Sequence, residues 1–254
     1  MRVRPNRTAE PIGEEPVEQL VAENAPDEAP IFQALASSTR QDLLANSVQH
    51  SVASGTVLFE QGDTPNFQLI VLAGSIQLFG RSSGGREVLI EVVRAPELVV
   101  PAAVVTGEPY LMQARVPEPS RLLMIHAAAF RTAASNDPAL ARAVIVGLAY
   151  QFRRMVRQIK NLKLRSGKER VGAYVLALSR HQGTPDRAVL PYEKHLIASE
   201  LGITRESFSR ALSALKSIHV EGGTIIIRDA KKLASECRPD PLIDAEELGT
   251  VGTL

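Results

Sequence analysis

A chain of 254 residues holds one large domain or two modest ones with a sizeable core, and a net charge of +1 excludes a histone-like polycation. The single cysteine, Cys237, excludes an intramolecular disulfide and the several thiolates of a zinc or iron–sulfur site, and points to a reducing compartment. No apolar run approaches a membrane span and the N-terminus has charges and prolines where a signal peptide needs apolar residues, so a cytoplasmic protein without a membrane partner is expected.

Residues 1–30 combine five prolines with scattered acids and few large apolar groups. Such a segment buries too little to offset the entropy of ordering, and a disordered tail is predicted. From Ile31 the spacing of Ile31, Leu35, Leu43 and Leu44 predicts one or two short helices. Runs rich in Val, Ile, Leu and Phe follow: GTVLFEQGD, QLIVLAGSIQLFG and REVLIEVV. They are punctuated by Gly62 with Asp63, by Gly74, and by Gly84 with Gly85, residues that reverse a chain cheaply. Successive antiparallel hairpins closing into a small β-roll or jelly roll are predicted over residues 31–135.

Asp137 as an N-cap and Pro138 at the first helical position open a long helix over residues 136–165. Within it Ile145, Leu148, Phe152, Met155, Ile159 and Leu162 recur at alternating spacings of three and four. A helix buried in its own domain would show such a stripe too. This one carries Arg153, Arg154, Arg157 and Lys160 on its other faces, which predicts pairing with a second copy as a parallel coiled coil, and hence a homodimer.

Gly167 breaks that pattern and a compact region follows over residues 166–236, with residues 237–254 as a C-terminal tail. Between residues 165 and 232 twelve Lys or Arg stand against seven Asp or Glu. In EKHLIASELGITRESFSRALSALK, Ala198 lets two helices approach, Gly202 reverses the chain and Phe208 packs the second helix on the first. That is helix-turn-helix spacing. An αα-hairpin in a helical core would share it, so the polar set decides. Thr204, Arg205, Glu206, Ser209 and Arg210 occupy the first two turns of the second helix. In a major groove Arg bridges guanine O6 and N7, Glu accepts from cytosine N4, and Ser or Thr holds phosphate or a base edge. The bland alternative is a Glu206–Arg210 surface ion pair. HVEGGTIIIRD, a hairpin turning at Gly222 and Gly223, supplies a wing beside that helix, and double-stranded DNA is the expected partner.

In order and content, GTVLFEQGD, LIVLAGSIQLF, GGREVLIEV, the long helix and IASELGITRESFSRALSALK resemble the Crp/Fnr family of bacterial transcription regulators over about residues 31–236. The resemblance implies an α+β chain: an N-terminal cyclic-nucleotide-binding-like β-roll that senses an effector, a dimerisation helix, and a C-terminal winged helix-turn-helix. It also implies a palindromic promoter site and a contact with RNA polymerase. In the family, E-x-x-S-R reads half-sites such as TTGAT and R-E-x-x-x-R reads TGTGA. Both patterns are superimposed here on Arg205, Glu206, Ser209 and Arg210.

Cyclic-nucleotide members hold ribose and phosphate with a Gly-Glu-Leu and an Arg-Ser pair. The corresponding positions here are Val99, Val100 and Pro101, then Tyr110 and Leu111. A phosphate buried there would go unpaired, so no cyclic AMP response is expected. The N-terminal cysteine cluster of the oxygen-sensing members is absent, so no iron–sulfur cluster is expected. An apolar effector pocket of Val99, Val100, Tyr110, Leu111 and Met112 is predicted, suited to an apolar ligand or haem, with His50 and His126 as candidate axial ligands. Some similar members respond to nitrogen oxides or low oxygen and bind haem. No phosphate loop, nucleophile elbow or metal-spaced His pair marks an enzyme. The remaining alternative is a regulatory module of the same β-roll fold that acts through protein partners rather than DNA.

Overall fold

The computed structural model describes residues 29–33 and 35–244; the tail predicted over residues 1–30 lies almost wholly outside them. Two short helices, α1 (Pro30–Gln33) and α2 (Ser37–Ala45), lead into β1 (Ser47–Val52), β2 (Val57–Phe59), β3 (Phe67–Ala73), β4 (Ser75–Arg81), β5 (Glu87–Arg94) and β6 (Glu97–Val99). Helix α3 (Pro101–Thr106) interrupts the strands before β7 (Gln113–Arg115) and β8 (Ser120–His126).

These strands form two antiparallel four-stranded sheets, ordered β1-β8-β3-β6 and β2-β7-β4-β5. Alternation along β3 shows how the roll is sealed. Leu69 and Val71 point inward against Ile76, Leu78, Val93 and Leu122. Ile70 and Leu72 point outward and are covered by Phe32, Leu43, Phe130 and Leu140 from flanking helices. The β3–β4 reversal needs Gly74, whose φ is +80° and where an added Cβ would sit 2.3 Å from Ser120 Oγ.

Helix α4 (Ala127–Asn136) precedes the 27-residue α5 (Pro138–Leu164). Asp137 caps α5 by accepting from the N–H groups of Ala139 and Leu140 at 2.8 and 3.4 Å, with Pro138 in the first turn. Leu140 and Val144 bury the start of α5 on the roll, while Ile145, Phe152, Met155 and Ile159 remain exposed farther along.

The C-terminal domain comprises α6 (Gly167–His181), β9 (Arg187–Val189), α7 (Lys194–Glu200), α8 (Arg205–Ala214), β10 (Ile218–Glu221), β11 (Thr224–Ile227), α9 (Ala230–Cys237) and α10 (Pro241–Asp244). Ser166 and Glu169 form a reciprocal capping box that starts α6. The core gathers Val171, Val175, Ile197, Phe208, Leu212, Ile225 and Leu233. The ordered chain runs beyond the boundary expected at residue 237. Cys237 is fully buried beneath α6, and Arg165 meets Asp244 of α10 through hydrogen bonds of 2.7 and 2.6 Å. Charge pairing of that kind holds a short helix that apolar content alone would not. No helix among the described residues is long and apolar enough to cross a membrane.

Candidate DNA-binding face and the interior of the roll

Helices α7 and α8 are joined through Gly202, whose φ of +65° supplies the left-handed turn. Thr204 caps α8, its hydroxyl accepting from the Ser207 N–H at 3.2 Å. One face of α8 buries Phe208, Ala211 and Leu212. Thr204, Arg205, Glu206, Ser209 and Arg210 are all exposed on the other, so the five predicted residues share one solvent-facing surface. Arg210 Nη2 donates to Ser207 Oγ at 3.1 Å, which orients the guanidinium along the helix. The Glu206 carboxyl is held below its usual range, chiefly by its own backbone N–H and then by the Thr204 hydroxyl, with Arg205 and Arg210 nearby. It is therefore an ionised acceptor at neutral pH, the form that cytosine N4 requires. The β10–β11 hairpin turns at Gly222, and β9 extends it to a three-stranded sheet beside α8.

Of the six residues predicted for a dimer seam, Ile145 and Phe152 are each 65 % exposed and Met155, Ile159 and Leu162 are also solvent-facing. Leu148 differs, packing partly against the helix-covered face of the roll. Leu162 also reaches the helix-turn-helix: its Cδ2 lies 2.5 Å from where a Cβ on Gly202 would be.

Of the five residues predicted for an effector pocket, four pack together in one core of the roll and Leu111 does not. Val99 and Tyr110 are core residues of the roll, Val100 and Met112 are half-buried, and Leu111 is 81 % exposed. The Tyr110 ring, from the loop before β7, stacks on Phe59 of β2 with centroids 3.6 Å apart and fills the interior of the roll. Burial, and then Asp63, push its hydroxyl up to about 12. Val100 adopts φ +43° at the start of α3, a left-handed turn in a β-branched residue. His50 and His126 are both exposed. The chain at His126 pairs with Asn46, just before β1, while His50 pairs with Leu122 farther along that strand. Cys237 is buried, and that burial pushes its thiol upward, away from a reactive thiolate.

Contacts between the two domains left no trace in local sequence. The Leu89 N–H of edge strand β5 donates to Ser199 Oγ of α7 at 2.8 Å, covering a strand edge with the first helix of the helix-turn-helix. Arg94, at the end of β5, donates to the Tyr192 hydroxyl at 2.9 Å. Burial pushes the Glu200 carboxyl up, and Arg94 draws it partly back. Arg154 of α5 pairs with Glu91 at 3.2 Å and, more closely, with Glu97.

A β-roll of the ligand-sensing type, joined by a long helix to a winged helix-turn-helix, defines a class of transcription regulator. Residues 49–137 match the cyclic nucleotide-binding domain, and residues 169–236 match the Crp-like helix-turn-helix domain. The chain is 23 % identical over 217 residues to the CRP-like cAMP-activated global transcriptional regulator of Mycobacterium tuberculosis, covering 83 % of this chain and 97 % of that one. It is 29 % identical over 133 residues to the nitrogen fixation regulation protein FixK of Azorhizobium caulinodans, covering 50 % and 52 %. The structure of FixK2 from Bradyrhizobium japonicum shares the fold, with a TM-score of 0.63 at 20 % identity over 75 % of this chain and 96 % of that one. The chain belongs to the Crp/Fnr family of transcription regulators, a family of DNA-binding regulators and not of enzymes.

Proposed function

We propose that the protein is a cytoplasmic homodimer that binds a palindromic promoter site, works with RNA polymerase, and is controlled by an effector other than cyclic AMP. The observation that carries this is the two-sided character of α8: Phe208, Ala211 and Leu212 anchor it, while Arg205, Glu206, Ser209 and Arg210 are exposed on the other face. The apolar stripe on α5 supports the dimer, since Ile145, Phe152, Met155 and Ile159 are exposed, without cover among the described residues. Pairing along α5 places two recognition helices in successive major grooves, about 34 Å apart.

The effector reading is supported by the filled interior of the roll. A cyclic nucleotide there would have to displace the Phe59–Tyr110 stack and bury its phosphate beside Val99 and Val100. The docking of α7 on β5 supports coupling, because any shift of the roll relative to α5 bears on the helix-turn-helix.

The test is selection of bound duplex from a random pool by the purified chain. A two-fold symmetric consensus with a TTG or TGTGA-like half-site is expected. Binding indifferent to that guanine overturns the assignment of Arg205 and Arg210 to base reading.

A further inference from the structure

A cavity of 370 Å³ lies outside the roll, where parts far apart in sequence converge. Its deep side is apolar: Ile70 of β3, Leu98 of β6, which pairs with it across the sheet, and Ile31 of α1. Ile70 and Leu98 point away from the neighbouring Leu69 and Val99, which fill the roll. The cavity is therefore separate from the interior that Phe59 and Tyr110 occupy. Helix α5 supplies the wall with Gly147, Tyr150, Gln151 and Arg154. Exposed Arg94 and exposed His181, the last residue of α6, stand at the rim.

The charges in this lining are unequal. Arg154 already has two carboxylates, Glu91 and Glu97. Arg94 lies within electrostatic reach of the Glu200 carboxyl but gives its hydrogen bond to the neutral hydroxyl of Tyr192, and an arginine's five N–H donors leave others for an incoming anion. A volume of this size, an apolar base and a cation at the rim together suit a small molecule with a hydrocarbon or aromatic body and one anionic group.

We propose that this cavity is the effector site, taking a small organic anion whose body lies on Ile70 and Leu98 and whose charge is held by Arg94. The proposal deepens, and rests on, the reading of the chain as an effector-controlled regulator. Its position explains how occupancy reaches the DNA-binding face. Gln151 and Arg154 are chain neighbours of Phe152 and Met155 on the exposed stripe, Arg94 also touches Tyr192, and His181 belongs to the C-terminal domain. A ligand there contacts the roll, the long helix and the DNA-binding domain at once.

The experiment is a fluorescence titration of the full chain, without DNA, with 8-anilinonaphthalene-1-sulfonate, followed by displacement with octanoate. Saturable binding of one dye per chain, reversed by octanoate, is expected. Gly147→Phe grows a side chain where an added Cβ meets nothing within 4 Å, and should weaken both ligands at least tenfold. Arg94→Gln should weaken octanoate to a similar degree without filling the cavity. Tyr110→Phe, in the roll's interior, should change neither. The proposal is overturned if no saturable binding is seen, or if the affinities survive both Gly147→Phe and Arg94→Gln in variants with native circular dichroism. DNA selection on the same preparation stands apart: its failure sinks the regulator reading and leaves the titration as it is.

Discussion

Arg170 Nε donates to the carbonyl of Leu201 at 2.9 Å, tying the start of α6 to the end of α7. The same guanidinium donates through Nη1 to the carbonyls of Arg165 at 2.7 Å and Leu162 at 3.2 Å, closing off the last turn of α5. One buried side chain therefore joins the long helix, the hinge and the helix-turn-helix. Burial lowers its pKa, yet an arginine stays charged in any folded protein. Removing it as Arg170→Ala orphans three carbonyls, and urea denaturation should show a loss of roughly 2–4 kcal/mol. Arg170→Lys should recover only part of that, because an ammonium cannot reproduce the planar fork.

Gly172 on α6 faces Cys237 on α9, and a Cβ added to Gly172 would lie 2.8 Å from Cys237 Cβ. Both residues are in the core, so neither moves cheaply. Gly172→Ala should destabilise by about 1–3 kcal/mol in chemical denaturation. Cys237→Ala should not relieve this, since it removes the sulfur and keeps the colliding carbon. Full recovery in the double variant would show that the contact is with the thiol.

The Arg165–Asp244 pair gives the C-terminal segment a pH signature. Burial works to raise the Asp244 carboxyl, but hydrogen bonds from Arg165 and from the Asp240 N–H, together with the Arg165 charge, outweigh it and hold the group below the usual carboxylate range. A depressed folded value means that the pair stabilises above the unfolded pKa, about 3.9, and that this is lost as pH falls through the lower folded value. Asp244→Asn should cost roughly 2–3 kcal/mol at neutral pH, because the Arg165 side chain is only 5 % exposed and loses its counter-charge. Urea midpoints followed from pH 7 to pH 3 should show the difference between variant and parent shrinking below about pH 4. A difference constant across that range would mean that Asp244 contributes shape and not charge.

Arg210→Ala should cost roughly 1–3 kcal/mol of binding to the selected site and relax preference at one base pair. Competition between the selected duplex and single-base variants measures this. If every duplex weakens alike, Arg210 holds a phosphate.

What was legible in the sequence was local. The Asp137–Pro138 start of α5, the glycine reversal at Gly74 and the Gly202 turn each depend on a few adjacent residues, and the polar set on α8 follows from helical spacing alone. The surroundings of the residues named for an effector pocket were legible only in part: Val99, Val100, Tyr110 and Met112 share the core of the roll, but which way each residue after β6 points is decided by packing. Tyr110 went into the core beside Phe59 while Leu111, next in sequence, went to solvent. The docking of α7 on β5 joins Leu89 to Ser199, 110 positions apart, and no periodicity encodes such a pairing. The segment from residue 237 reads as a tail, and no local pattern reveals the short helix α10 within it. The positions of Lys160 and Arg165 in the fold give Asp240 and Asp244 their partners.

The central claim is that two chains joined along α5 present α8 to successive major grooves. It is tested most directly by the mass of the protein–DNA complex formed on the selected duplex, measured by sedimentation. The account predicts two chains on a two-fold symmetric site, with half-sites one helical turn apart and a thousandfold or greater loss of affinity between 50 and 200 mM salt if about six to ten phosphates are contacted. A single chain bound to an asymmetric sequence would contradict it.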